Sequence, residues 1–408
     1  MFIASFFACM LAFIKFNPCR LNDFSGLSVT LNACYSDIPI FWKSRLLEVH
    51  LWPFSYLPIP ELSKVIPPIE YPVIVGTIIW LLSFITPLSG IADVNYFDIN
   101  AIFLCSLFVA TGYYIFKIAK NKVYFFILSP AVFFSIFINW DLWAVLPTIL
   151  AIYYFDKKKF KLSGVFLAIA ISAKFYPIVL ILPITIILLK RNRKYLSQFY
   201  IFNFGAYILI NAPYVLSNFA GWRYFFEFSF KRGTGYGSIW EALNLFGFKL
   251  GNLNLVYTLS SLAVFALVTI YYFKYANLDN LYQIAFFAVF AFTIFSKVYS
   301  PQYVLWLTPL AVLAIQTRNQ IRVFCLWQAL ELLYHLAIWR YIYWLGFGGK
   351  IEGLPAQTYA VISILRMLSL ILFAFSLAYP AIKKYRSKKV SQKLAETRGF
   401  EPPKPFRG

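Results

Sequence analysis

Charge is scarce in this chain of 408 residues. Only 13% of its residues are Asp, Glu, Lys or Arg, where a soluble globular domain carries about a quarter. Acids number 16 against 37 bases, and there are two histidines, five cysteines and three methionines. Each shortage closes a class of answer. So few charges, with no long polar segment between apolar stretches, exclude a disordered chain and most soluble enzymes. Five cysteines exclude a disulfide-stapled scaffold, and no CxxC or other metal spacing occurs. Without HExxH, paired cysteines or a DxD-type run, a dedicated protein metal cage has no support, and a need for a divalent metal stays open. No internal repeat or low-complexity segment is present, and no Asn-x-Ser/Thr sequon.

What remains is apolar. Hydrophobic residues make up 61%, aromatics 21%, and mean hydropathy is +0.69. Apolar runs recur at about 2–17, 72–91, 98–116, 123–138, 141–155, 162–174, 176–189, 197–216, 252–272, 281–296, 302–316, 323–340 and 358–381. These are candidate spans of a multi-pass, all-α membrane protein. The expected layout is a single transmembrane domain over 1–381, with a first external loop at 18–71, a second at 218–250, and a basic cytoplasmic tail at 382–408. The apolar start, with no basic segment ahead of it and no clear cleavage site, reads as a short first span and not a signal peptide; its shortness suggests a start further upstream.

The net charge of +21 would suit nucleic acid, but its placement argues against that partner. Nine bases fall between Lys383 and Arg407. Others sit in short clusters at 117–122, 157–161, 190–194 and 318–322, each beside an apolar run. That is the positive-inside pattern of cytoplasmic loops. With those clusters inside, the breaks at Asn139-Trp140-Asp141 and Lys174-Phe175-Tyr176-Pro177 lie outside, as do 297–301 and 341–357. One conflict stands. If both 72–91 and 98–116 cross, Lys117–Lys122 fall on the wrong side, so one of them is re-entrant or the charge rule fails once. Within the first loop, Ser36–Val49 reads as a short amphipathic helix suited to a membrane surface. Cys19 and Cys34 flank the start of that loop; they pair if it faces an oxidising side, but inert thiols are the expectation.

Ionisable residues at membrane depth or its edge call for a functional account. The external set is Asp37, Glu70, Asp141, Lys174, Lys231, Arg232, Lys297, Glu331, His335 and Arg340. Carboxylates and cations sharing one pocket suit an anionic lipid-linked substrate, the cations holding phosphate and a carboxylate taking a proton. Each also has a plain alternative. Asp37 could cap the helix after it, unless Ser36 does so. Glu70-Tyr71 could be a helix-initiating turn before Pro72, and Asp141 a hairpin cap. Lys174 has no adjacent acid and could snorkel to the interface. Lys231-Arg232 lead into the Gly-rich stretch 233–238, read as a flexible phosphate-contacting loop; no strand precedes it, so a nucleotide P-loop is excluded. Gln302 follows a helix-breaking Ser300-Pro301 and could contact sugar or only turn the chain. Glu331 and His335 share a helical face and could form a second acid/base or phosphate cluster, or His335 could be a core residue.

Six motifs stand in order: Cys34-Tyr35-Ser36-Asp37-Ile38, Glu70-Tyr71-Pro72-Val73, Asn139-Trp140-Asp141-Leu142, Lys174-Phe175-Tyr176-Pro177, Ser229–Gly233 with Gly237-Ser238-Ile239-Trp240, and Ser300–Trp306. Together they resemble glycosyltransferase family 87, within the membrane-embedded GT-C class. The resemblance implies a GT-C-type bundle of about 11–13 transmembrane helices whose first external loop carries short surface helices. It implies a plasma-membrane enzyme with an external active site, transferring a hexose, mannose first, from a polyprenyl-phosphate donor to a glycolipid or glycan acceptor. Asp37 matches the position of the class's catalytic acid in the first loop and would be the base. Glu70, Tyr71, Asp141, Lys174, Lys231, Arg232, Gln302 and His335 would bind substrate. The rival is a secondary transporter or lipid flippase using the same charges as a relay; a non-catalytic assembly subunit is a third possibility.

Overall fold

The computed structural model describes residues 1–59, 64–249, 251–275, 280–350 and 352–397. Its elements are helical but for one short antiparallel hairpin, β1 (Leu57–Ile59) with β2 (Lys64–Ile66), in which Leu57 faces Ile66. The helices run α1 (Phe2–Leu21), α2 (Ser28–Leu31), α3 (Asp37–Ser44), α4 (Val73–Phe84), α5 (Ala92–Ala119), α6 (Tyr124–Ile127), α7 (Pro130–Phe133), α8 (Leu142–Asp156) and α9 (Phe160–Ala173). They continue as α10 (Ile181–Arg191), α11 (Arg193–Ser217), α12 (Phe219–Lys231), α13 (Ile239–Leu245), α14 (Leu253–Tyr275), α15 (Leu281–Ile294), α16 (Val304–Ala314), α17 (Arg318–Gly346) and α18 (Ala356–Thr397). The first part of the expected tail continues α18; residues 398–408 lie outside those described.

Six helical segments among the described residues are long and apolar enough to cross a membrane: 2–21, 92–127, 193–217, 253–274, 318–346 and 356–380. Five more apolar helices have 10–17 residues. The helical solution follows from the solvent, since hydrocarbon offers no partner for a free N–H or C=O. The short helices α8, α15 and α16 form the centre, and every residue of α16 is buried. Around them, α14 turns Leu255, Leu259, Leu262, Leu267, Ile270 and Phe273 outward. The apolar run at 123–138 is not one span. It breaks into α6, α7 and turns, and Phe126, Ile127, Val132, Ile136 and Phe137 are buried in the core.

Small residues set how closely helices approach. A Cβ at Gly164 of α9 would stand 2.5 Å from the Phe199 carbonyl oxygen of α11. The Asn203 amide donates to the Gly164 carbonyl at 3.0 Å, so the contact has polar as well as steric content.

Over residues 72–122, both halves of α4 stay against the first loop; Gly76 packs on Phe54 and Ile69. The C-terminal half of α4 returns to the first loop: His50 Nδ1 lies 2.9 Å from Ser83 Oγ, and Trp80 Nε1 donates to the His50 carbonyl at 2.8 Å. The start of α5 is bound to the same region, Asp93 pairing with Lys43 and Asp98 with Arg20 at the end of α1. From there α5 runs the length of the bundle. Beyond its far end, Lys122 Nζ donates to the Ile315 carbonyl at 2.6 Å, and the Met1 amino group donates to the Tyr124 hydroxyl at 3.1 Å. Lys117–Lys122 therefore share an end with the chain start and with the Arg318/Arg322 cluster, as the charge rule requires.

The helix expected over 36–49 forms as α3 and a single 3-10 turn at Leu47–Val49, separated by Leu46 in the left-handed region (φ 49°). Ile38, Phe41 and Trp42 are buried against protein, Trp42 on Tyr96 of α5 and Phe41 on Trp140. Cys19 and Cys34 form a disulfide. The inert-thiol expectation fails because α2 doubles the chain back and brings the two residues within 5.9 Å, Cα to Cα.

Candidate active site

The breaks between helices collect at one end, around a cavity of about 1040 Å³. Asp37, Glu70, Tyr71, Lys174, Arg232 and Gln302 line it; Asp141 lies just behind its wall. Lys231 is exposed and His335 is buried elsewhere, and neither is part of the lining.

Asp37 begins α3 but does not cap it. Ser36 does, its hydroxyl oxygen accepting from the Ile38 amide at 3.2 Å while donating to the Phe137 carbonyl at 2.7 Å. The Asp37 amide donates to the Ile138 carbonyl at 2.8 Å, which fixes the carboxylate beside the Asn139-Trp140-Asp141 break. The Tyr35 hydroxyl donates to Asp37 Oδ1 at 2.8 Å, and Asn139 Nδ2 approaches Oδ2 at 3.5 Å. Burial pushes the Asp37 carboxyl above its ordinary range, and nearby Glu70 adds to that. The Tyr35 bond, the Lys174 charge and the Asn139 amide pull the other way without cancelling it. A carboxylate so placed stays partly open to the cavity and is more basic than usual.

Asn139 is the hub of this wall. Its Oδ1 accepts from the Asp141 amide at 3.1 Å and lies 3.5 Å from Lys174 Nζ. Lys174 has an acid after all. Its Nζ donates to Asp141 Oδ1 at 2.7 Å, and Trp306 Nε1 donates to the same oxygen at 2.6 Å. The partner was invisible in the sequence because it lies 33 residues away, across the α8–α9 hairpin. Asp141 is fully buried and holds Lys174 in place; its Oδ2 has no partner among the described residues. The Lys174 ammonium stands over the rings of Tyr71 (5.2 Å) and Trp306 (5.8 Å). Glu70 is likewise tied, to Arg45, whose Nη1 also donates to the Pro67 carbonyl at 2.8 Å.

Arg232 and Lys297 line the same cavity. The Gly-rich stretch beside them is strapped down and not free. The Gly235 amide donates to the Lys297 carbonyl at 2.8 Å, and Ser238 Oγ donates to the Gly235 carbonyl at 2.8 Å. Gly237 has φ +78°, and a Cβ there would stand 2.2 Å from the Tyr334 hydroxyl and 2.3 Å from the Tyr299 carbonyl oxygen. Only glycine fits that turn.

Glu331 and His335 share a face of α17 but serve different partners. Glu331 pairs with Arg366 at 2.7 Å, both fully buried. His335 Nε2 lies 3.0 Å from Lys15 Nζ of α1. Neither forms the second cavity cluster that their spacing suggested. Tyr35, Asn139, Arg45 and Trp306 are the positions that choosing charged motif residues passed over, and Lys297, named in the ionisable set, was not among the residues expected to bind substrate. Tyr35, Asn139 and Trp306 stood within the motifs, and a polar or aromatic residue beside a helix break was the available signal. Among the described residues no group of His, Cys, Asp or Glu is arranged to hold a metal ion.

No family model matches the chain, and no curated protein matches it. Among solved structures it is similar to ArnT from Cupriavidus metallidurans bound to undecaprenyl phosphate. The likeness has 12% identity, covers 90% of this chain and 81% of that one, and has a TM-score of 0.41. It is a loose match of helix arrangement and assigns no residue a role.

Proposed function

We propose that the chain is an integral-membrane glycosyltransferase of the GT-C class, related to family 87. It would move a hexose, mannose first, from a polyprenyl-phosphate carrier to a hydroxyl of a glycolipid or glycan. The observation that supports this best is the cavity's lining: a carboxylate of raised basicity, Asp37, together with the cations Lys174, Arg232 and Lys297, at the end of an apolar helical bundle. The ordered motifs from Cys34 to Trp306 support the family.

In this reaction the acceptor hydroxyl attacks the anomeric carbon from the face opposite the phosphate. The new C–O bond forms as the bond to the phosphate oxygen breaks, so the anomeric centre inverts. Asp37 takes the hydroxyl proton, and the phosphate leaves with the bonding electrons. A phosphate needs no general acid to depart, so one carboxylate suffices, unlike glycoside hydrolysis with its two. Tyr35 and Asn139 aim Asp37, and Lys174, held by Asp141, Tyr71 and Trp306, places a positive charge beside the reacting centre. The Cys19–Cys34 disulfide at the cavity end fits an active site facing an oxidising compartment outside the plasma membrane.

The test is sugar transfer by membranes expressing the chain, fed labelled polyprenyl-phosphate-mannose, with Asp37→Asn at matched protein level. Label entering a new lipid or glycan with wild type, and lost with the variant, is the expected result. Equal transfer by both removes Asp37 as base. No transfer by either, with substrate flux in liposomes, replaces the enzyme with a transporter.

A further inference from the structure

Two of the six charged side chains that line the cavity, Lys174 and Glu70, are matched by ion pairs. Lys174 is matched by Asp141 and Glu70 by Arg45. Glu241, also on the lining, accepts from the Thr234 hydroxyl at 2.6 Å and sits in the first turn of α13. Lys297 also lacks a paired carboxylate among the described residues. Only 8% exposed, it follows α15 and turns its ammonium into a setting without a carboxylate. Its Nζ donates to the Phe230 carbonyl at 2.8 Å and to Asn254 Oδ1 at 3.0 Å, and stands 5.9 and 5.8 Å from the Phe230 and Tyr257 rings, all neutral partners, with no carboxylate paired to it among the described residues. Arg232 lies close enough for its charge to act on Lys297, and both line the cavity. The Arg232 guanidinium rests 5.8 Å from the Phe228 ring and makes no ion pair with a described carboxylate. The Gly235–Lys297 backbone bond holds the two segments in register. Two adjacent cations, one buried, repel each other and bear desolvation with no anion to offset it. An anion held between them would offset both costs.

We propose that Lys297 and Arg232 form the phosphate cradle of the cavity. The assignment rests on the glycosyltransferase function above, and it makes Lys297 a binding residue in its own right while Lys174, paired with Asp141, acts beside Asp37. The chemistry fits. The donor phosphodiester carries one negative charge, and the departing phosphate monoester gains a second as the anomeric bond breaks. Cations here therefore bind the leaving group more tightly as it forms, which is the condition for speeding the step.

The experiment is binding of labelled polyprenyl phosphate to the full-length chain in nanodiscs, with unlabelled inorganic phosphate as competitor. Lys297→Met and Arg232→Gln should each weaken binding about 10-fold or more, the scale of one charge-assisted bond. Polyprenol without phosphate should bind both variants as it binds wild type. Arg232 is exposed, so Arg232→Gln carries the test if Lys297→Met is not recovered folded. If inorganic phosphate competes and loses that ability in the variants, the cradle reads phosphate itself. If it does not compete and only the lipid-linked probe responds, the cradle reads the phosphate of a lipid carrier. Wild-type affinity in both variants, or no phosphate-dependent binding by wild type, overturns the proposal. Intact binding dependence without sugar transfer would keep the cradle and remove the transferase.

Discussion

Two buried ion pairs in this bundle are built differently. Beneath the cavity, Arg366 of α18 and Glu331 of α17 are fully enclosed and well matched. Glu331 accepts from Arg366 Nε (2.7 Å), the Tyr299 hydroxyl (2.9 Å) and Trp327 Nε1 (2.9 Å). Arg366 also donates to the Tyr299 carbonyl (2.7 Å) and the Ser300 carbonyl (3.2 Å), between the rings of Tyr299 and Tyr334 at 3.6 and 4.0 Å. At the cavity, Lys174 and Asp141 are joined at one carboxylate oxygen while the other has no partner, and Lys174 faces open space. A pair whose hydrogen bonds are all made is scaffold. The Lys174–Asp141 pair instead has one member, Lys174, on the cavity lining. The difference separates a pair closed on all sides from one that borders the cavity.

That contrast yields opposite signatures. The largest effect belongs to the cavity. Asp37→Asn should lower kcat by roughly 10²–10⁴, the range for a lost general base, while detergent-solubilised protein keeps its unfolding midpoint. A comparable fall in the midpoint would move Asp37 into the scaffold. Next, Arg366→Met should cost about 3–5 kcal/mol of stability by stranding Glu331 as a buried charge. Adding Glu331→Leu should restore much of it, so a double variant as unstable as the single would break the comparison. Denaturant unfolding reads both.

Gly237→Ala should destabilise by about 1–3 kcal/mol, because it forces a side chain onto a φ of +78° against Tyr299 and Tyr334. The smallest change is Tyr35→Phe, read as a pH–rate profile. The Tyr35 bond stabilises the ionised Asp37 carboxylate. Its loss should raise the Asp37 pKa, and the acidic limb, where activity disappears as the base protonates, should move to higher pH by roughly 0.4–1 unit. A shift to lower pH would show that Tyr35 does not donate to the base.

Much of the bundle was legible in the chain because lipid imposes simple rules. Apolar length marks helices, and basic clusters mark one end. The hairpin breaks at 139–141 and 174–177 were placed at a common end from Lys122, Lys157, Lys161 and Lys190 alone, and both meet at the cavity. The count of crossings was not legible near α4, where twelve apolar residues look the same whether they cross or fold back. The bonds from His50 to Ser83 and Trp80 place its second half against the first loop.

The site divides along the same line. That acids and cations would share one pocket follows from topology, and Asp37, Glu70, Tyr71, Lys174, Arg232 and Gln302 do line one cavity. Which of them keep a charge to offer depends on partners far apart in sequence. Asp141 neutralises Lys174, Arg45 neutralises Glu70, and Lys15 holds His335 outside the cavity. The sequence by itself determined the solvent, the helices and the end at which chemistry collects, because those depend on the polarity of short segments. Only the tertiary structure decided which charges are spent and which remain, because an ion pair is set by distances of a few ångströms between helices, and no local pattern records them.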